Sequence, residues 1–138
     1  MYNFLQNFHS GWAYLTLLAA ILFFLLVGFY AINKKQRNNA LTKLSFITTI
    51  VFHVQLVLGL ALYFYSPYAK WNSETMKDST LRFFSMEHPL MMFAAVIFIT
   101  IANSKLKKSE SVQLSTAVFA LLGLALVLSR IPWATWLA

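Results

Sequence analysis

Three histidines lie in stretches that otherwise hold few ionisable groups, which makes them the first candidates for chemistry. They are His9, His53 and His88, and the chain has no cysteine. A neutral imidazole can bind a metal, exchange a proton or take part in hydrogen bonds. Without thiols, the chain cannot form disulfides, thiolate metal sites, iron–sulfur clusters or thioether-attached haem. Imidazoles remain as candidate ligands, and Met86, Met91 or Met92 is the alternative to one of them at a haem iron.

His88 stands in a cluster of unusual composition, because an acid precedes it and a proline follows it. Glu87 is placed to pair with Arg82 or to fix a histidine tautomer, as carboxylates beside metal ligands do. A carboxylate that simply faces water is the alternative. Pro89 lacks an N–H and clashes with the carbonyl of Ser85, which frees that carbonyl to accept a hydrogen bond.

Helices must position these side chains, since four stretches are long and apolar enough to cross a membrane. A helix of about 20 apolar residues spans the roughly 30 Å hydrocarbon core. The stretches cover residues of about 12–32, 44–65, 83–102 and 111–129. Their apolarity extends around each helix, whereas helices of a soluble bundle need a polar face. The sequence therefore predicts an all-α integral membrane four-helix bundle in one domain.

The overall composition agrees with a membrane protein. The chain is 59% hydrophobic and 11% charged, whereas soluble domains carry about 25% charged residues. Its formal net charge is +7, but the basic residues form short clusters between apolar runs. This pattern is typical of membrane-flanking loops rather than nucleic-acid binding. Membrane lipid is thus an expected partner and nucleic acid is not.

The loops predict the orientation. Residues 33–43 carry four basic side chains and no acid, and residues 103–110 carry three lysines and one Glu. The opposite side holds the other four basic residues, namely Lys70, Lys77, Arg82 and Arg130. Loops richer in Lys and Arg face the cytoplasm. We therefore expect both termini on the non-cytoplasmic side.

Depth along the helices places two of the histidines at one level. His53 lies roughly 18 Å from the end of the second span, and His88 about 14 Å from a helix start capped by Asp78 or Ser79. His9 lies nearer the surface. Two imidazoles at one depth suit the axial ligation of a haem iron in a bundle core. We therefore expect His53 and His88 to bind a haem b iron, with His9 as a further ligand or neighbour.

Two arginines are candidate partners for haem propionates, because a guanidinium group binds carboxylates bidentately. Arg130 ends the fourth span, and Arg82 precedes the third. The alternative for Arg130 is an interfacial anchor. Small residues on the fourth span, among them Thr116, Ala120 and Gly123, fit either a slot for a flat ligand or close helix packing. For His53 and His88, the alternative to a ligand is a buried hydrogen-bonded side chain. For His9, the alternative is an interfacial residue.

Four motifs resemble a family of small four-helix bacterial membrane proteins named cytochrome b or cytochrome b-like. The motifs are NFHSGWAYL (7–15), FHVQLVLGLALYF (52–64), LRFFSMEHPLMM (81–92) and SRIPW (129–133). The resemblance covers nearly the whole chain. It implies the bacterial inner (cytoplasmic) membrane, with His53 and His88 as haem ligands and His9 as a third candidate. Many members carry an arginine just before the tryptophan of the first motif, where this chain has Gly11.

Three functions are compatible with these residues. The first is a b-type cytochrome that carries electrons as a subunit or partner of a respiratory complex. The second is a cofactor-free accessory subunit of a larger membrane complex. The third is a quinone or proton site built from His9, Glu87 and His88. The sequence lacks a paired metal-ligand motif such as HExxH, so an independent hydrolytic metalloenzyme is not expected.

Overall fold

The computed structural model describes residues 1–136, and in them the chain is helical and forms no strand. The helices are α1 (Tyr2–Ile32), α2 (Asn39–Tyr65), α3 (Ser79–Arg82), α4 (His88–Lys107), α5 (Leu114–Ser129) and α6 (Trp133–Trp136). A five-residue π-helical turn, Phe83–Glu87, joins α3 to α4. The chain is therefore helical without a break from Ser79 to Lys107.

Three helical segments are long and apolar enough to cross a membrane: Tyr2–Ile32, Asn39–Tyr65 and Ser79–Lys107. The helix in the predicted fourth span, α5, is apolar but has only 16 residues. Such a helix rises about 24 Å, which is less than the roughly 30 Å of a hydrocarbon core. The all-helical class is confirmed, and three of the helices have the length that a span requires.

Side-chain caps fix two of the helix starts. The Asn38 side chain accepts a hydrogen bond from the backbone N–H of Leu41 at 2.8 Å, which begins α2. Asp78 accepts from the N–H groups of Thr80 and Leu81 at 2.9 and 3.0 Å. These bonds satisfy N–H groups that have no partner inside the helix. The predicted cap of the third helix is confirmed as Asp78.

The four long helices form a ring in which each helix packs against two others. α1 packs on α2 and α5, and α4 packs on the same two helices. Consequently α1 and α4 face each other across the interior of the bundle. Phe23 from α1 and Ile99 and Leu106 from α4 are fully buried there.

Polarity is arranged in the opposite sense to that of a soluble bundle. Large apolar side chains point outward, such as Val57 and Phe64 with exposed fractions of 65% and 82%. Inside, the Ser45 hydroxyl donates to Asn103 Oδ1 at 2.7 Å, and both residues are buried. Apolar surfaces suit contact with lipid, and the hydrogen bond between Ser45 and Asn103 satisfies two interior polar side chains.

The small residues of α5 serve close packing between helices. A Cβ atom on Gly123 would lie 2.8 Å from Ile99 Cγ1 and 3.3 Å from the Ala95 carbonyl oxygen. The side chains of Thr116 and Ala120 are fully buried. Of the two interpretations of this face, the structure therefore favours helix packing over a ligand slot at Gly123.

Candidate functional site

A cavity of about 300 Å³ lies inside one end of the bundle. The amino-terminal turns of α1 and α4 meet the carboxyl-terminal turns of α2 and α5 there. Most of its wall is apolar, and His9, His88 and Gln55 are among its few polar groups. Pockets for small molecules and cofactors have volumes of about 300–1,000 Å³ with a few placed polar groups. The cavity is therefore the candidate site.

Two histidines from opposite helices meet in this cavity. The ring centres of His9 on α1 and His88 on α4 lie 6.2 Å apart, with their planes at 84°. Phe83 also packs against His88, with ring centres 5.9 Å apart and planes at 29°. The structure thus brings together the first and third of the sequence-predicted histidines.

His9 is held against α2 by a glycine and an amide. A Cβ atom on Gly59 would lie only 3.1 Å from His9 Cε1, so glycine lets the imidazole lie close to that helix. The Gln55 side-chain Nε2 donates to the His9 carbonyl oxygen at 3.0 Å. In contrast, His9 Nδ1 and Gln55 Oε1 are buried without a hydrogen-bond partner in residues 1–136. Buried polar atoms of this kind are costly unless something binds them.

The other histidine has a fixed tautomer. His88 Nδ1 lies 2.7 Å from the backbone carbonyl oxygen of Arg130. A carbonyl oxygen only accepts, so Nδ1 carries the proton and donates it. In the neutral ring, Nε2 then keeps a free lone pair, which is the form that binds a metal or accepts a hydrogen bond.

The π-helical turn before His88 is supported by α2. Pro89 cannot donate to the Ser85 carbonyl oxygen, and that oxygen accepts from the Tyr63 hydroxyl at 3.0 Å instead. The hydroxyl of Tyr63 accepts in turn from Trp71 Nε1 at 2.7 Å. The freed carbonyl predicted from Pro89 is therefore present, and a tyrosine satisfies it. Turns of this type are frequent at functional sites.

Glu87 joins the two sequence-predicted arginines. Its Oε2 accepts from Arg82 Nε at 2.9 Å, and its Oε1 lies 3.5 Å from Arg130 Nε. The second contact attracts by charge but is too poorly aligned to count as a hydrogen bond, since Arg130 Nε has no such partner. Both guanidinium groups therefore contact a carboxylate of the protein. The pairing of Glu87 with Arg82 was one of the roles predicted for this glutamate.

The structure does not bring His53 into the cavity. Its side chain lies on the exposed face of α2, and its Nδ1 donates to the Thr49 carbonyl oxygen one turn earlier, at 2.7 Å. That bond also leaves Nε2 free, but on the outer surface of the bundle. His53 as a haem ligand together with His88 therefore stays a prediction that the cavity geometry does not support.

Sequence reasoning missed several residues of the site. Gln55, Gly59 and Tyr63 all contribute from α2, and Trp136 lines the cavity and donates from Nε1 to the Ser10 carbonyl oxygen at 3.2 Å. The uncharged amide of Gln55 in an apolar span could have indicated this residue. It was missed because the site was predicted mainly from ionisable side chains. Polar side chains in spans face the protein interior.

Within residues 1–136, no three His, Asp or Glu side chains gather into a metal-binding group. A metal held by the cavity residues alone would have two imidazole ligands. Comparison of the chain with protein-family models, curated proteins and solved structures gave no match. The cavity and its two histidines are therefore the features that bear on function.

Proposed function

We propose that the chain is a membrane electron-transfer protein of the b-type cytochrome kind, in which His9 and His88 would hold a haem. The observation that carries the proposal is the 6.2 Å between their ring centres across the bundle interior. That separation would let one nitrogen of each ring bind the same metal ion, with metal–nitrogen distances of about 2 Å. His9 takes the place that the sequence prediction gave to His53.

The residues of the cavity fit such a group in three respects. Hydrogen bonding to Arg130 leaves the Nε2 lone pair of His88 available. Buried His9 Nδ1 has no partner among the described residues, so this ring has no competing bond on that atom. Two protein ligands suffice for a haem iron, because the porphyrin supplies the other four.

A bound haem would supply one-electron oxidation and reduction. The chain's own residues determine the setting for that chemistry. His9 and His88 would both hold the group, and the apolar wall around them would disfavour added charge. Arg82 and Arg130 place positive charge at the same end of the bundle as His88, and Glu87 offsets part of it.

The proposal includes four membrane spans with both termini on the non-cytoplasmic side. It is supported by the seven basic residues in the two loops at one end of the bundle, against four at the other. The apolar α5 serves as the fourth span if the bilayer thins or the flanking residues extend it. The histidine cavity would then lie in the outer half of a bacterial inner membrane. Partner subunits of a respiratory complex would supply and accept the electrons.

Three single variants test the ligand assignment, and the chain provides its own control. We expect His9→Ala and His88→Ala to abolish the α-band in reduced-minus-oxidised spectra of the purified protein. His53→Ala removes the same side chain from an exposed position and should leave that band unchanged. Loss of the band in His53→Ala with retention in His9→Ala would restore the pairing predicted from sequence. A wild-type protein without any such band would refute the haem proposal.

A quinone site is the second candidate, and one observation favours it. Leu60, Leu90 and Phe93 line the cavity while 47%, 57% and 54% exposed, so the cavity opens between α2 and α4. That opening faces hydrocarbon in the proposed orientation, as a lipid-soluble ligand requires. His9 Nδ1 and Gln55 Oε1 could bind the hydroxyl groups of a quinol headgroup. A purified protein that carries extractable quinone and shows no α-band would favour this candidate.

A further inference from the structure

The end of the bundle opposite the histidine cavity carries an open groove. Thr42, Lys43, Phe46 and Ile47 from the first turns of α2 line it together with Lys107, the last residue of α4. The floor is apolar, and Phe46 and Ile47 are each 54% exposed. Two lysines therefore flank an exposed apolar surface at the point where the apolar part of α2 begins.

These two lysines differ from several of their basic neighbours, which have partners inside the protein. Arg37 donates from Nε to the Ser109 carbonyl oxygen at 3.1 Å. Lys35 Nζ lies 4.9 Å from the centre of the Phe29 ring, and Lys105 forms a contact of the same kind with another aromatic ring. By contrast, neither Lys43 nor Lys107 forms an ion pair or an aromatic contact within residues 1–136.

We propose that this groove binds an anionic phospholipid. Lys43 and Lys107 hold the headgroup phosphate, and an acyl chain lies along Phe46 and Ile47. Ammonium groups attract phosphate, and basic pockets between membrane helices recognise anionic headgroups in this way. The apolar floor selects a lipid over a small soluble anion, because only a lipid has a chain to cover it. A zwitterionic headgroup adds a cation that the lysines repel. The inference is independent of the histidine cavity and its ligand.

Native mass spectrometry of the full chain in detergent tests the proposal. The protein is mixed with equal amounts of phosphatidylglycerol and phosphatidylcholine, and the lipid that remains bound is identified. We expect phosphatidylglycerol on the wild type and about fivefold weaker retention for each lysine removed, the usual effect of one basic residue beside anionic lipid. The Lys43→Gln/Lys107→Gln double variant should therefore lose most of its bound phosphatidylglycerol.

A matched control separates the groove from general positive charge. The Lys34→Gln/Lys108→Gln variant removes the same charge from the same end of the bundle, at positions outside the groove. We expect it to retain phosphatidylglycerol nearly as the wild type does. Equal loss in both double variants, or equal retention of the two lipids by the wild type, would overturn the proposal. The unfolding temperature of the protein is also measured with each ligand. If inorganic phosphate raises it as much as phosphatidylglycerol does, the choice of a lipid is overturned.

Discussion

Glu87 influences His88 through a chain of contacts rather than by touching the imidazole. Its carboxylate contacts Arg130 Nε at 3.5 Å, and the Arg130 carbonyl oxygen accepts from His88 Nδ1 at 2.7 Å. The same carboxylate accepts from Arg82 Nε at 2.9 Å. Because Arg82 lies in the same continuous helical segment as Glu87 whereas Arg130 follows α5, Glu87 links the start of that segment to the end of α5. We infer a positioning role for Glu87.

Glu87→Gln is expected to lower stability without removing a ligand. The amide keeps the shape of the side chain but loses its charge. Partly exposed ion pairs contribute up to about 1 kcal/mol each, so the unfolding temperature should fall by a few degrees. The α-band proposed above should persist, because both imidazoles remain. Glu74→Gln is the control, since that carboxylate forms no ion pair within residues 1–136. Equal unfolding temperatures for the two variants would contradict the inference.

At the scale of elements, the π-helical turn Phe83–Glu87 sets the direction in which His88 enters the bundle. An extra residue in a helical turn rotates the residues that follow it. Pro89 leaves the Ser85 carbonyl free, and Tyr63 from α2 donates to that oxygen at 3.0 Å. Ser85 is only 3% exposed, so water cannot easily replace the tyrosine. The turn and α2 therefore stabilise each other.

Tyr63→Phe should destabilise the protein more than Tyr65→Phe. The first change leaves a buried carbonyl oxygen without a donor, at a cost of about 1–3 kcal/mol. Tyr65 is 58% exposed, and its hydroxyl has no hydrogen bond among the described residues, so its removal should change little. Thermal unfolding in detergent, followed by circular dichroism, measures both. Indistinguishable unfolding temperatures would mean that the turn does not depend on this bond.

The two faces of α2 show that the depth of His53 could be predicted from the sequence, whereas the side of the helix on which it lies was not. Depth follows from the rise per residue alone, so the sequence could place His53 and His88 at similar levels. Rotation about the helix axis depends on which face meets the neighbouring helices. The inward face holds Thr48, Phe52, Gln55, Gly59 and Tyr63, whereas Ile50, His53, Val57 and Phe64 are exposed. The spacing of small and polar residues could have predicted this division.

The pairing of His9 with His88 could not be predicted from a local sequence pattern. It depends on the order of the helices around the ring, which places α1 and α4 opposite each other. It also depends on how α1 is rotated about its axis, because only one face of that helix meets the cavity. Chain neighbours do not encode such long-range contacts. The all-helical class was easier to predict, because hydrophobicity summed over about 20 residues is a robust signal.

The whole molecule is divided between two dissimilar ends. One end holds the start of α1, the short helix α6, the histidine cavity and the ion pairs of Glu87. The other end holds the two basic loops, which an isolated bridge between Gln36 and Ser111 joins. Backbone bonds from Arg37 to Glu110 and from Val112 to Lys35 strengthen that junction. Seven of the eleven basic residues lie at that end, and this difference is the basis of the proposed orientation.

Cysteine labelling tests this orientation, and the chain suits the method because it has no cysteine of its own. Ser73→Cys and Lys108→Cys place single thiols in exposed segments at opposite ends. We expect a membrane-impermeant maleimide to label Ser73→Cys in intact spheroplasts, and Lys108→Cys only after lysis. The second variant lowers the basic count of its end from seven to six, which still exceeds four. If only Lys108→Cys were labelled before lysis, the protein would have the opposite orientation in the membrane. The histidine cavity would then lie in the inner half of the membrane, and any electron partner would have to reach it from the cytoplasm.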